Sequence, residues 1–246
     1  MRRRGFTLTE LLVVVGTVSV LMGILLPSLS RVREQSKRVY CLNNLRQMAM
    51  AAEVYTQVYE GYYPTAYYGE KTPGKNFMYA WDFTTIYEPG NRSVVPGLLW
   101  QGETIEKVQQ CPSFKGEANW ALDPYTGYNY NTSYIGHGQG ESIITPAKAI
   151  AVKRPNECAL FGDGQWADGA NKFMRAPWPN PGDASFKGRH AGTQGYRHLG
   201  ATNVAYCGGG AESVREVYKE TNEASIVRIA PRTGFLSPDN SAYDLE

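Results

Sequence analysis

The chain has 246 residues and a formal net charge of +2, from 25 Lys and Arg against 23 Asp and Glu. That balance excludes the strongly basic field of a nucleic-acid binder, so no nucleic-acid partner is expected. With 42% hydrophobic and 12% aromatic residues the chain is too apolar and too evenly charged for disorder, and its length accommodates one membrane segment plus one globular domain with a real core.

The chain begins "RRRGFTLTELLVVV" after Met1. Without Arg2, Arg3 and Arg4 the charge balance falls to −1, so the slight basicity belongs to the leader. From Leu11 to Leu26 nearly every residue is apolar or small, and the run extends from Phe6 to Leu29. About 20 such residues span a bilayer as a helix. A secretory signal peptide would carry its cleavage site after the run, but the run leads into "PSLSRVREQSKR", a poor match. The better-placed small residue is Gly5, before the run. Glu10 stands alone near its start, and a carboxylate facing hydrocarbon is costly without a partner. Basic residues flank both ends, Arg2 to Arg4 and then Arg31, Arg33, Lys37 and Arg38, so charge alone leaves the orientation open.

The residues Gly5, Phe6, Thr7, Leu8 and Glu10 resemble the cleavage and methylation signal of type IV prepilins and type II secretion pseudopilins. The resemblance implies cleavage between Gly5 and Phe6 by a prepilin peptidase, which also N-methylates Phe6. It implies pairing of Glu10 with the new amine of a neighbouring subunit, and it covers Pro27, where such proteins carry a helix-bending proline. The implied partners are that peptidase/N-methyltransferase, other pilin or pseudopilin subunits, an inner-membrane assembly platform and ATPase, and the lipid bilayer. The implied location is a single-pass protein of the inner membrane, N-terminus cytoplasmic and head periplasmic, assembled into a fibre.

Beyond Pro27, which should kink the helix, Leu29, Val32, Val39, Leu42, Leu45, Met48 or Ala49, Ala52, Tyr55 and Val58 or Tyr59 recur at steps of three and four. This is an amphipathic stripe, stopped by Gly61 with Pro64 beyond. "CLNNLRQ" resembles one large branch of prepilin-like proteins, as does "QCPS" at Cys111.

The remainder is rich in Tyr, Gly and Pro. Residues 61–135 read as long loops with short strands in "AWDFTTIYEPG" and "YNYNTSYIG", and a short helix is expected before Cys111. Segments 147–154, 157–164 and 201–214 read as strands of an antiparallel sheet, on which the stripe from Val39 to Val58 packs. Residues 165–195 read as a Gly- and Pro-rich insertion, and 213–228 as weakly helical. "RHLGATNVAYCGGG" resembles the same branch's C-terminal His-x9-Asp-Gly signature, with Gly208 in place of the Asp. The expected fold is therefore α+β and pilin-like: a long N-terminal transmembrane and amphipathic helix on a small antiparallel sheet with long loops. The expected divisions are a leader (1–5), a transmembrane or fibre-core helix (6–29), its amphipathic continuation (30–60) and a β-rich head (61–246).

Catalytic signatures are missing: there is no H-E-x-x-H, G-x-S-x-G or P-loop, so no enzyme is expected. His198 reads as a sheet-edge hydrogen bonder. Cys41, Cys111, Cys158 and Cys207 lack the C-x-x-C spacing of a zinc site and are disulfide candidates. Four cysteines allow three pairings. If strands 157–164 and 201–214 are neighbours, Cys158–Cys207 and Cys41–Cys111 follow. No cofactor is expected. The alternative is Ca2+ on Asp163 and Asp168 with Asp183 and Asn171, although the spacing is not that of an EF-hand. The competing functional reading is a membrane-anchored periplasmic protein whose Tyr- and Trp-rich head binds a glycan.

Overall fold

The computed structural model describes residues 7–102, 107–120, 122–167, 169–188, 192–221 and 229–246. It is α+β. One long N-terminal helix, α1 (Leu8–Val58), runs without interruption through Pro27. Its 51 residues reach about 76 Å at 1.5 Å per residue. Every residue from 8 to 33 is exposed, and this part is long and apolar enough to cross a membrane. Three of its hydroxyls are satisfied within the helix. Thr17 donates to the Val14 carbonyl at 2.9 Å, Ser19 to Val15 at 2.8 Å and Ser28 to Leu25 at 2.8 Å. Such internal pairing is what a polar group needs where no water can serve it. Pro27 has no N–H to give the Gly23 carbonyl one turn back.

The helix becomes one-sided only at Cys41. Its buried residues are Cys41, Asn44, Leu45, Met48, Ala49, Ala52, Tyr55 and Thr56. The expected stripe is correct in its middle and too long at both ends, because Leu29, Val32, Val39, Val58 and Tyr59 are exposed. α1 ends in a left-handed turn in which Glu60 and Gly61 have φ of 51° and 85°, and the Gly61 amide donates to the Thr56 carbonyl at 2.8 Å. This is the six-to-one bond of a Schellman closure.

The head holds two sheets. The first is an antiparallel meander of β1 (Tyr67–Thr72), β2 (Lys75–Ala80), β3 (Phe83–Glu88) and β4 (Asn91–Pro96). Two of its turns are Pro73-Gly74 and Pro89-Gly90, and the glycines take φ of 81° and 77°. Proline presets the first central position of such a turn, and glycine accepts the positive φ of the second. The expectation of long loops in this region is thus corrected. The second sheet, ordered β10-β9-β6-β5-β7, contains β5 (Tyr128–Asn131), β6 (Ala159–Gln165), β7 (Phe173–Met174), β9 (Thr202–Tyr206) and β10 (Ala211–Val214). β8 (Thr193–Gly195) joins it through β6, and β11 (Thr233–Gly234) through β8.

Several expectations change here. The sheet is larger than expected, and β5 and β7 run parallel. Segment 147–154 is a 3-10 turn (Ala149–Ala151) carrying a single bridge from Lys148 to Tyr62. Segment 201–214 is a hairpin, β9 to β10, in place of one strand. Before Cys111 the helical pieces are 3-10 turns, Leu98–Trp100 and Lys107–Gln109. Ser213 and Val214 lie in β10, and no helix follows among the described residues to Thr221.

α1 lies across β9, β10 and β6. Cys41, Leu45, Met48, Ala49 and Ala52 meet Leu160, Phe161 and Ala205 in the main core. Trp81 joins the two sheets, with ring centroids 5.6 Å from Tyr130 and 5.2 Å from Phe161. A buried ionic group ties them as well. Lys172 Nζ is 2.8 Å from Asp82 and 2.6 Å from Asp123, and 4.0 Å above the Trp120 ring. One ammonium serves two carboxylates. Burial pushes the Asp123 carboxyl up to about 6, and Asp82 beside it adds to the rise against the pull of Lys172.

Removing one partner from such a group leaves buried charge unpaired. Lys172→Met should therefore cost about 3–5 kcal/mol, seen as a large fall in melting temperature. The folded chain holds the Asp123 proton more tightly than the unfolded chain does. Its contribution to stability is therefore full below about pH 4 and lost as pH rises through about 6. Thermal melts should show Asp123→Asn gaining on wild type between pH 4 and 7; a constant difference would contradict this.

Candidate functional site

Two places in the chain carry unusual polar chemistry. The first is the start of α1. Gly5 and Phe6, the expected cleavage residues, lie outside the described residues. Thr7 is the N-cap of α1 and Glu10 its third residue, and together they form a capping box. Glu10 Oε2 accepts from the Thr7 amide at 2.9 Å and from Thr7 Oγ1 at 2.8 Å, and the Glu10 amide donates to Thr7 Oγ1 at 3.3 Å. The carboxylate that sequence reasoning left in search of a neighbour is folded back on its own helix terminus, where the helix dipole also favours it.

The second place is a closed polar cluster under the middle of α1, assembled from four distant stretches. Cys41 is the first buried residue of α1. Cys111 follows the 3-10 turn Lys107–Gln109. Asp163 sits on β6. Arg197 and His198 come from the β8–β9 connection, where the His198 and Ala201 backbones exchange bonds of 3.0 and 3.1 Å. The two residues between them, Leu199 and Gly200, both have positive φ, 55° and 78°, the pattern of a type I′ turn.

Cys41, Cys111, Asp163 and His198 are all fully buried. The two Sγ atoms are 3.2 Å apart, and both thiols are free. Cys111 Sγ is 3.6 Å from His198 Nε2, and Arg197 Nε donates to it at 3.3 Å. Asp163 takes His198 Nε2 at 3.2 Å, Arg197 Nη2 at 3.2 Å and the Asn203 amide at 2.7 Å. Arg197 also donates to the carbonyls of Gly127 and Gly164. His198 is thus no sheet-edge residue; it stands at the centre of the cluster.

The electrostatics are mutually set. Burial pushes the Cys111 thiol up, but the hydrogen bond from Cys41 and the Arg197 and His198 charges outweigh it and hold the group well below the usual thiol range. The bond to Cys111, and burial, hold Cys41 far above that range. Burial raises the Asp163 carboxyl despite Arg197. Burial would lower His198, yet its bonds to Asp163 and Cys111 prevail and raise it to about 9.

The other cysteine pair is simpler. Cys158 and Cys207 are in thiol contact, and the Cys207 amide donates to the Cys158 carbonyl at 3.0 Å. Their hydrogen-bond partners among the described residues are the Tyr63 hydroxyl and the Tyr243 carbonyl, the latter accepting from Cys158 at 3.4 Å, while the Asp244 and Arg154 charges act on Cys158 from further off. Both expected pairs are therefore neighbours. Of the calcium candidates, Asp168 lies outside the described residues. Asp183 accepts from Ser185 at 2.6 Å and Asn171 from the Phe173 amide at 2.8 Å. Asp163 converges with two thiols and an imidazole, a softer donor set than calcium takes.

At the signature position Gly208, a Cβ would fall 2.2 Å from Asn156 Oδ1. The Asn156 amide occupies the room an aspartate would need. Sequence reasoning missed Arg197 as the hub of the cluster and missed the convergence itself, since spacing rules require ligands close in sequence. One signal was present: "CLNNLRQ" and "QCPS" each supply one member and "RHLG" supplies two. No protein-family model, curated protein or solved structure matches the chain.

Gly127 closes the cluster on one side, with φ of 116° and a hypothetical Cβ only 2.7 Å from Cys111 Cβ. Gly127→Ala should destabilise the head by about 1–3 kcal/mol, from the left-handed backbone and overpacking. A denaturant midpoint equal to wild type would show that the loop can yield.

Proposed function

We propose that this chain is a structural, prepilin-like subunit. A peptidase cuts it between Gly5 and Phe6, and it assembles through its N-terminal helix into a type II secretion pseudopilus or a type IV pilus-like fibre. The observation that carries this reading is the two-part helix. Residues 11–29 of α1 are almost all apolar or small and all exposed, while the inward face from Cys41 to Thr56 is packed into a head. A soluble protein does not present so long an apolar rod to water. Lipid, or a sheath of identical helices, covers it in both stages of such a life. The orientation that follows is N-terminus cytoplasmic and head outside, with a peptidase/N-methyltransferase, sibling subunits, an assembly platform and an ATPase as partners.

The capping box refines the part played by Glu10. Before assembly its Oε2 accepts from the Thr7 amide and hydroxyl, so the carboxylate enters the bilayer already hydrogen-bonded. During assembly the methylated amine of a neighbour takes over as its partner, which fixes the axial register because an unpaired charge in an apolar fibre core is penalised. A second reading, an anchored glycan receptor, draws on the stacked rings of Tyr68, Tyr79 and Phe77 on β1 and β2. It requires no cleavage.

Co-expression with a prepilin peptidase should yield a chain beginning at methylated Phe6 by intact mass. A chain that keeps Met1 beside an active peptidase would move the weight to the receptor. Glu10→Gln separates the two parts of the acid, since glutamine keeps a capping box and loses the charge. The variant should insert and fold like wild type and fail to enter fibres. If it polymerises normally, the charge pairing is wrong.

A further inference from the structure

We infer that Cys41, Cys111, Asp163 and His198 form a structural zinc site that fastens α1 to the head. The proposal concerns the head alone and does not depend on the fate of the N-terminus.

Three observations carry it. First, four ligand atoms of the right kinds converge: two Sγ, one imidazole nitrogen and one carboxylate oxygen, all within 4.8 Å of one another. A tetrahedral zinc with bonds of about 2.3 Å to sulfur and 2.0–2.2 Å to nitrogen and oxygen separates its ligands by about 3.3–3.8 Å. The sulfurs here are 3.2 Å apart, Cys111 and His198 3.6 Å, and His198 and Asp163 3.2 Å. These three separations lie within about 0.6 Å of those of a tetrahedral ion, and the remaining ligand pairs lie within 4.8 Å.

Second, the charges close. Two thiolates and a carboxylate carry three negative charges, zinc supplies two positive ones, and Arg197 supplies the third. Arg197 already touches both Cys111 and Asp163 and is only 10% exposed. Asp163 is oriented from outside by the Asn203 amide, the kind of support that ligating carboxylates receive. Thiols and imidazole ligate without their protons, so binding releases protons to solvent and leaves a group of zero net charge.

Third, the chain contains its own contrast. Cys158 and Cys207 are also in thiol contact, but among the described residues no imidazole or carboxylate shares hydrogen bonds with them. That is the environment of a plain disulfide. At Cys41 and Cys111 a disulfide would make no use of the carboxylate and imidazole aimed at the same point. Soft thiolates with imidazole in a closed four-ligand site select zinc over calcium or magnesium. Because the ligands lie far apart in sequence and are fully buried, the ion is taken up as the head folds and contributes to its stability.

The test uses the full chain in detergent, purified from membranes without reductant or chelator. Elemental analysis should find one zinc per chain, and non-reducing peptide mapping should find Cys158–Cys207 linked with Cys41 and Cys111 as free thiols. Replacement by Co2+ should give the intense visible bands of a tetrahedral ion together with thiolate-to-cobalt charge transfer. Cys41→Ser should lose the ion, and the double variant Cys158→Ser/Cys207→Ser should retain it. If Cys41→Ser does not fold, the wild-type cobalt spectrum decides, since a spectrum without thiolate charge transfer overturns the proposal. So does a metal-free chain with a Cys41–Cys111 disulfide.

Discussion

The packing of α1 between Cys41 and Thr56 onto β6, β9 and β10 is the contact on which the head depends, because the large second sheet has no other helix to cover it among the described residues. Leu45 and Met48 are fully buried there, and burial of each side chain contributes about 1.5–3 kcal/mol. The same helix does the opposite at its other end, where a mostly apolar surface long enough to cross a membrane faces outward. One element thus presents two kinds of surface. The change between them falls at Cys41, with no break in the backbone to mark it.

Polar chemistry gathers at both ends of that arrangement and is managed differently. Glu10 is satisfied locally, by a residue three positions away. Asp163, Arg197, His198 and Cys111 are held through tertiary structure, by one another and by the Asn203 amide and the Gly127 and Gly164 carbonyls. Lys172, Asp82 and Asp123 repeat the second solution between the two sheets. Buried ionic groups of this kind add little net stability compared with apolar packing, but a misplaced element leaves bare charge behind, so they penalise wrong arrangements steeply.

Much of this was legible in the residues, and the failures have physical causes. The helix and its end at Gly61 followed from hydropathy, period and a glycine suited to positive φ. Its contact face was read too long because periodicity at Leu29, Val32 and Val39 cannot say where the partner surface stops. Of the first sheet only β3 was read, within "AWDFTTIYEPG", although Pro73-Gly74 and Pro89-Gly90 are strong turn signals; the other strands begin or end in polar runs, such as Glu70-Lys71-Thr72 and Asn91-Arg92-Ser93, and do not alternate cleanly. Segment 147–154 has strand-like composition, but the Ala149 amide turns back to the Gly61 carbonyl at 2.8 Å, and tertiary pairing overrides propensity. The polar cluster lay beyond spacing rules altogether, since its members stand 34 to 87 positions apart in the bonds that join them.

The continuity of α1 also has a mechanical meaning. A load applied along the exposed half travels down a continuous helix, whose ladder of backbone hydrogen bonds lacks the Pro27 rung, and reaches the head at Cys41. From there to Thr56 the helix lies along the sheet, so its contacts are strained together in shear instead of being peeled one at a time. The residue at which the load arrives is the one whose sulfur is held, through Cys111, by three separate segments of the head. Resistance to pulling is therefore concentrated at the point of entry, where a fastening protects every contact beyond it.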